Sequence, residues 1–262
     1  MKFTLLDPEE RVGLAAAKFT GVGNLASLTL GLILSALFYG MLTLVRLRWH
    51  TTAVEMFFHG GAAQRSVIPY LTVVLSMWCL AILWLKRRKL RAQRAVFVLE
   101  LPPGSPAERL EALHRAVDRP EDFLAARRLQ YDLQLQSDGI GRAERAEMLE
   151  IAAGNDEKYL ESTFTQLRGF IWAIPVLGFI GTVLGLAWAV GGFGAVLADN
   201  GGQLGHMRDA LSGVTGGLAV AFETTLIALV AALVLQLLLT VQLKAEEDLL
   251  DAVPDFLNRL DR

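Results

Sequence analysis

A disulfide framework is excluded at the outset, because the chain carries one cysteine, Cys79, and packing rather than crosslinks must hold its fold. Histidine is scarce too, at 4 residues. His50 and His59 stand nine apart with no thiolate nearby, a spacing that reads as solvated side chains rather than metal ligands. There is no P-loop, no G-x-S-x-G elbow and no Cys/His zinc pattern, so neither an enzyme nor a bound cofactor or metal is expected. The formal charge is only -2 with no basic face, which argues against a nucleic-acid partner. At 53% apolar residues the chain is not a disordered one, and it contains no internal repeat and no low-complexity tract.

What it does contain is four long stretches free or nearly free of charge. Asp, Glu, Lys and Arg are absent from Phe19 to Val45, from Ser66 to Leu85 and from Gly169 to Ala198, and in Ala210 to Leu243 the one exception is Glu223. Each stretch meets the roughly 18 to 20 residues needed to span about 30 Å of hydrocarbon. The expected fold is therefore all-α, a polytopic membrane protein with four transmembrane helices (19–45, 66–85, 169–198 and 210–243) and helical extensions outside the bilayer. The first 18 residues contain acids and lead to no small-residue cleavage site, so the first stretch is expected to be a retained helix.

Basic residues near helix ends resist translocation and so set orientation. Lys86, Arg87, Arg88, Lys89, Arg91 and Arg94 follow the second stretch at once, whereas the loop 46–65 has Arg46, Arg48 and Arg65 and the loop 199–209 has Arg208. With four spans both termini share the basic side, assigned to the cytoplasm, and the cluster 86–94 reads as an anchor on anionic membrane lipid. On that side fall 1–18, the soluble segment 86–168 and the tail 244–262.

Within 86–168, Pro102-Pro103-Gly104 breaks the chain and Ser105-Pro106-Ala107-Glu108 spells a capping-box helix start. A second start at Asp118 to Asp122 leads into Phe123, Leu124, Leu129 and Leu133 and ends at Ser137-Asp138-Gly139. A helix near Glu157 is expected to run straight into the third span. At about 1.5 Å per residue the fourth helix is near 50 Å long and projects from the membrane until Pro254 interrupts it.

Glu223 is the lead on function. An ionisable group in hydrocarbon costs at least about 2.5 kcal/mol, so it persists where it faces a partner helix or a watery path. Thr215, Thr224 and Thr225 lie on the same helix and Thr182 on the preceding one, and with Glu223 the set is read as part of an ion pathway. Thr215, Ala219, Phe222 and Leu226 share a stripe, and Glu223 sits some 80° around from it at about 100° per residue. Two roles stand for Glu223: a protonated acid making a structural hydrogen bond, or a direct part in transport. On the third helix Gly178, Gly181 and Gly185 recur at three- and four-residue steps, a face that lets backbones approach closely in lipid.

The segments IPVLGFIGTVLGLAWAV (174–190) and ALSGVTGGLAVAFETTLIALV (210–230) resemble the paired channel helices of the MotA/TolQ/ExbB proton-channel family. Two helices, a large cytoplasmic segment with a basic start and then two signature helices look like the four-helix MotA arrangement; TolQ and ExbB have three. The resemblance implies a homo-pentamer around the single membrane helices of a dimeric partner similar to MotB, TolR or ExbD, whose membrane aspartate accepts the ion. It also implies that Thr182 and Thr215 line the path. The expected function is thus a stator subunit of the inner membrane, turning the descent of protons, or of sodium ions, into rotation or force on that partner. The rival from another class is a membrane scaffold whose polar groups serve packing alone.

Overall fold

The structure, a computed structural model, describes residues 18–49, 52–58, 67–198 and 204–260. Among them lie helices α1 (Asn24–Arg48), α2 (Thr52–Glu55), α3 (Ile68–Ala95), α4 (Pro106–Ala116), α5 (Leu124–Ser137), α6 (Arg142–Ser162), α7 (Thr165–Ala198) and α8 (Leu204–Leu260), with no strand between them. Four helical stretches are long and apolar enough to cross a membrane: Asn24–Arg48, Ile68–Val98, Arg142–Gly191 and Leu211–Leu260. The chain is thus an all-helical, multi-pass membrane protein. His50 and His59 lie outside the described residues.

Packing divides the described residues into two units, the first formed by 18–27, 82–166 and 238–260, the second by 28–49, 52–58, 67–81, 167–198 and 204–237. The first has a core of soluble-protein type. Leu113 and Val117 from α4 and its end, Leu124, Leu129 and Leu133 from α5, Leu160 from α6, and Leu249, Val253 and Phe256 from α8 are all nearly or fully buried together. Burial of this kind, at about 25 cal/mol per Å² of apolar surface, is the main term holding such helices side by side.

Local signals account for several ends. Ser105 Oγ accepts from the Glu108 N–H at 3.4 Å while Glu108 Oε2 accepts from the Ser105 N–H at 2.9 Å, the reciprocal pair that starts α4. Past the end of α5, Gly139 adopts φ +76, the left-handed conformation that glycine takes without strain. The start of α5 is capped from a distance instead. Buried Gln93 of α3 accepts from the Leu124 N–H at 2.9 Å and donates to the Asp122 carbonyl at 2.6 Å.

Three expectations are corrected. The helix through Glu157 does not run unbroken into the third span, because α6 ends at Ser162 and α7 begins at Thr165. There the Phe164 N–H reaches back three residues to Glu161, and the Thr163 hydroxyl takes the Leu160 carbonyl, a tighter turn than the α-helix. Pro254 does not interrupt α8, which continues for 57 residues, about 85 Å. Proline removes one helical N–H, but Leu249, Val253 and Phe256, on one side of the same turns, are fixed in the core of the first unit.

The third correction concerns the basic cluster. Lys86 and Lys89 are not lipid-facing anchors: they are 1% and 2% exposed. Lys86 Nζ donates to Glu246 Oε1 at 3.2 Å and to Thr163 Oγ1 at 2.7 Å, and stands 3.8 Å from the centre of the Phe164 ring. Glu246 is completed by the Thr20 hydroxyl at 3.0 Å and the Gln242 amide at 3.2 Å, and Lys89 donates to the Gly21 carbonyl at 2.7 Å. A buried ion pair survives only when its remaining donors and acceptors are met in this way.

In the second unit α1 meets α3 at Gly31, where a Cβ would fall 2.7 Å from the Trp78 Cα. Trp78 packs on Phe170 of α7 with ring centres 4.5 Å apart. The far end of α1 is tied by Arg46 to Glu55 of α2 at 2.9 Å and by an aromatic group that includes Phe38, Tyr39, Phe57 and Tyr70.

Candidate functional site

The last two apolar helices touch along a seam of small residues within the second unit. A Cβ at Gly178 would lie 2.6 Å from the Ala228 Cβ, one at Gly181 2.8 Å from the Thr224 Cβ, and one at Gly185 2.8 Å from both the Ala221 Cβ and the Gly217 carbonyl oxygen. Gly217 returns the contact, with Ala189 Cβ and the Gly185 carbonyl at 2.9 Å. No side chain fits at these positions, so the two backbones meet at the distance that lipid-embedded helices need to gain dispersion energy.

That proximity puts Thr182 of α7 and Thr225 of α8 in direct hydroxyl-to-hydroxyl contact. The arrangement is close to symmetric. Thr182 stands four residues after Gly178, and Thr225 four after Ala221. Each hydroxyl reaches both its own carbonyl and the one opposite: Thr182 donates to Gly178 O at 3.2 Å or Ala221 O at 3.3 Å, Thr225 to Gly178 O at 2.9 Å or Ala221 O at 3.2 Å. Two protons thus serve two carbonyls and two hydroxyl oxygens, a set with alternative hydrogen-bond patterns of similar geometry. Such a set can pass a proton by rotation of hydroxyls, or turn its lone pairs toward a cation or water.

The neighbouring groups are placed differently. Thr224 is buried, donates to the Ala221 carbonyl at 3.0 Å and fills the space beside Gly181. Thr215 is exposed on the chain, its hydroxyl bonded to the Leu211 and Ser212 carbonyls of its own helix at 3.0 Å. Ala219, Phe222 and Leu226 of the same stripe are exposed as well, while Glu223, off that stripe, is half-buried.

The cross-helix partner of Thr182 is therefore Thr225, and Thr215 turns outward. The signal in the sequence was the matching i+4 relation of each threonine to a small residue, Gly178 or Ala221, on helices whose small faces oppose. Reading each helix by itself hid it. No group of three or more metal-ligating side chains occurs among the described residues.

Comparison with known proteins gives a family match. The model of the MotA/TolQ/ExbB proton channel family fits residues 116–250, just over half of the chain and both helices of the seam. No curated protein and no solved structure matches it.

Proposed function

Because the chain belongs to the MotA/TolQ/ExbB proton channel family, a family of ion-driven channels rather than of enzymes, we propose that it is the channel subunit of a motor. In this reading protons, or sodium ions, descend their gradient along the polar atoms of α7 and α8 and drive rotation or displacement of a partner. The observation that carries it is the hydroxyl pair Thr182–Thr225 between two carbonyls, set in helices apolar enough to cross a membrane. Each unit charge that crosses 100 mV releases about 2.3 kcal/mol, comparable to switching one or two hydrogen-bonded contacts.

The placement supports the following roles in this reading. Thr182 and Thr225 ligate or relay the ion inside the chain, Glu223 tunes or accepts it, and Thr215 meets it on the exposed stripe of α8. Phe222, Leu226 and Leu229 are 66%, 52% and 52% exposed on one chain, an apolar stripe that lipid or the helices of further copies and a partner can cover. The assembly is a homo-pentamer in the inner membrane with both termini cytoplasmic, and the partner is a dimer of single-span chains similar to MotB, TolR or ExbD with a membrane aspartate.

A second reading is favoured by one observation: the hydroxyls of Thr182, Thr215, Thr224 and Thr225 all have carbonyl partners within the chain. A scaffold whose polar groups serve packing alone would look the same. Purification in mild detergent separates the two. The motor reading expects an oligomer that carries a small single-span protein with a membrane carboxylate, and a monomer without one counts against it.

A further inference from the structure

Within the first unit, α5 and α6 enclose a cleft of about 400 Å³ lined by Arg127, Arg128, Tyr131, Gln134 and Asp156 among others. That is the size range of small-molecule sites. Its inner wall is charged and built. Asp156, 3% exposed, takes Arg127 on Oδ1 and the Arg128 Nε on Oδ2, the latter at 2.9 Å. One carboxylate so holds two guanidiniums in place. Glu121, which also lines the cleft, is exposed, so water screens its charge more than those of the buried Asp156–Arg128 pair.

Arg128 is the informative side chain. It is only 6% exposed, and among the described residues its hydrogen bond runs through Nε alone. The terminal nitrogens of a nearly buried guanidinium are thus left to the cleft that the side chain lines. A guanidinium fork matches the edge of an oxyanion in two parallel bonds. Arg127 is steadied beside it by stacking 4.7 Å over the Phe19 ring. A phosphate has oxygens enough to take both guanidiniums at once, each through charge-assisted bonds. Tyr131 and Gln134 add a flat face and an amide for the rest of the molecule.

We propose that this cleft binds a small organic phosphate, the phosphate on the Arg127 and Arg128 forks and the body against Tyr131 and Gln134. The site is independent of the channel helices and of any reading of them. Free metabolites and lipid headgroups both carry this chemistry. The test is titration calorimetry on the purified full chain, with AMP as the free probe in zwitterionic nanodiscs and phosphatidic acid nanodiscs as the lipid one. Saturable binding is expected, about tenfold weaker in Arg127→Gln, which removes one charge-assisted bond. It should be lost in Ala152→Phe, which fills the cleft and leaves the charges in place, with helical content and elution volume unchanged. A response to phosphatidic acid alone, with the same sensitivity to both variants, assigns the headgroup as the ligand source. No saturable binding of either probe, or binding that both variants leave intact, overturns the site.

Discussion

Gly181 and Thr224 lie so close across the α7–α8 seam that a Cβ on the glycine would stand 2.8 Å from the Cβ of the threonine. Both atoms belong to backbone-anchored groups, so neither can swing aside. Gly181→Leu must push the helices apart, at an expected cost of about 1–3 kcal/mol for an overpacked site. Thermal unfolding in detergent, read beside the elution volume, should show a lower midpoint and weakened assembly. An unshifted midpoint would mean that the seam does not hold the pair together.

The hydroxyl square next to it carries a different expectation. Thr225→Val keeps the shape and removes one proton and one acceptor, leaving Thr182 to bond to the Gly178 or Ala221 carbonyl. Stability should fall by only about 1 kcal/mol, the net value of one hydrogen bond. Ion flux through the reconstituted complex should fall far more, and a variant with parallel small losses in both would place Thr225 in packing alone.

Lys86 and Glu246 offer a sharper contrast, since each is nearly fully buried and the two are 3.2 Å apart. Glu246→Leu strands an ammonium among Thr163, Phe164 and an aliphatic side chain, which should cost about 3–5 kcal/mol. The double variant Lys86→Met, Glu246→Leu removes both charges and should recover most of that loss. A thermal double-mutant cycle measures it, and additive losses would show that the pair is not coupled.

Pro254 sits exposed within an unbroken helix. Replacing it with alanine restores an N–H and relieves the ring, for which the reference cost in a helix interior is about 3 kcal/mol. Pro254→Ala should therefore raise the unfolding midpoint of the chain. A lower midpoint would indicate that the ring itself is needed where it stands.

How far the sequence could be read depended on range. The Ser105–Glu108 box and the end of α5 at Gly139 are local patterns that appear in the structure, and four apolar helices correspond to the four stretches with shifted bounds: the first begins at Asn24 rather than Phe19, whose ring lies in the core of the first unit. The cap of α5 could not be read, because it comes from Gln93, 31 residues before Leu124. Lys86 looked like a surface charge after a span. Its counter-charge is 160 positions away on α8, and only folding brings them together. Proline breaks isolated helices, so Pro254 reads as a stop, yet tertiary packing of Leu249, Val253 and Phe256 overrides that preference. At the seam, the glycine face and the threonines were legible one helix at a time, whereas the pairing of Thr182 with Thr225 depends on the register between helices.

Ion flux itself tests the central claim most directly: the complex with its single-span partner, reconstituted in proteoliposomes under an imposed gradient, compared among the native chain, Glu223→Gln and Thr215→Ala. The channel reading predicts gradient dissipation by the native complex and a marked loss in both variants at unchanged assembly. Equal flux in all three would contradict it.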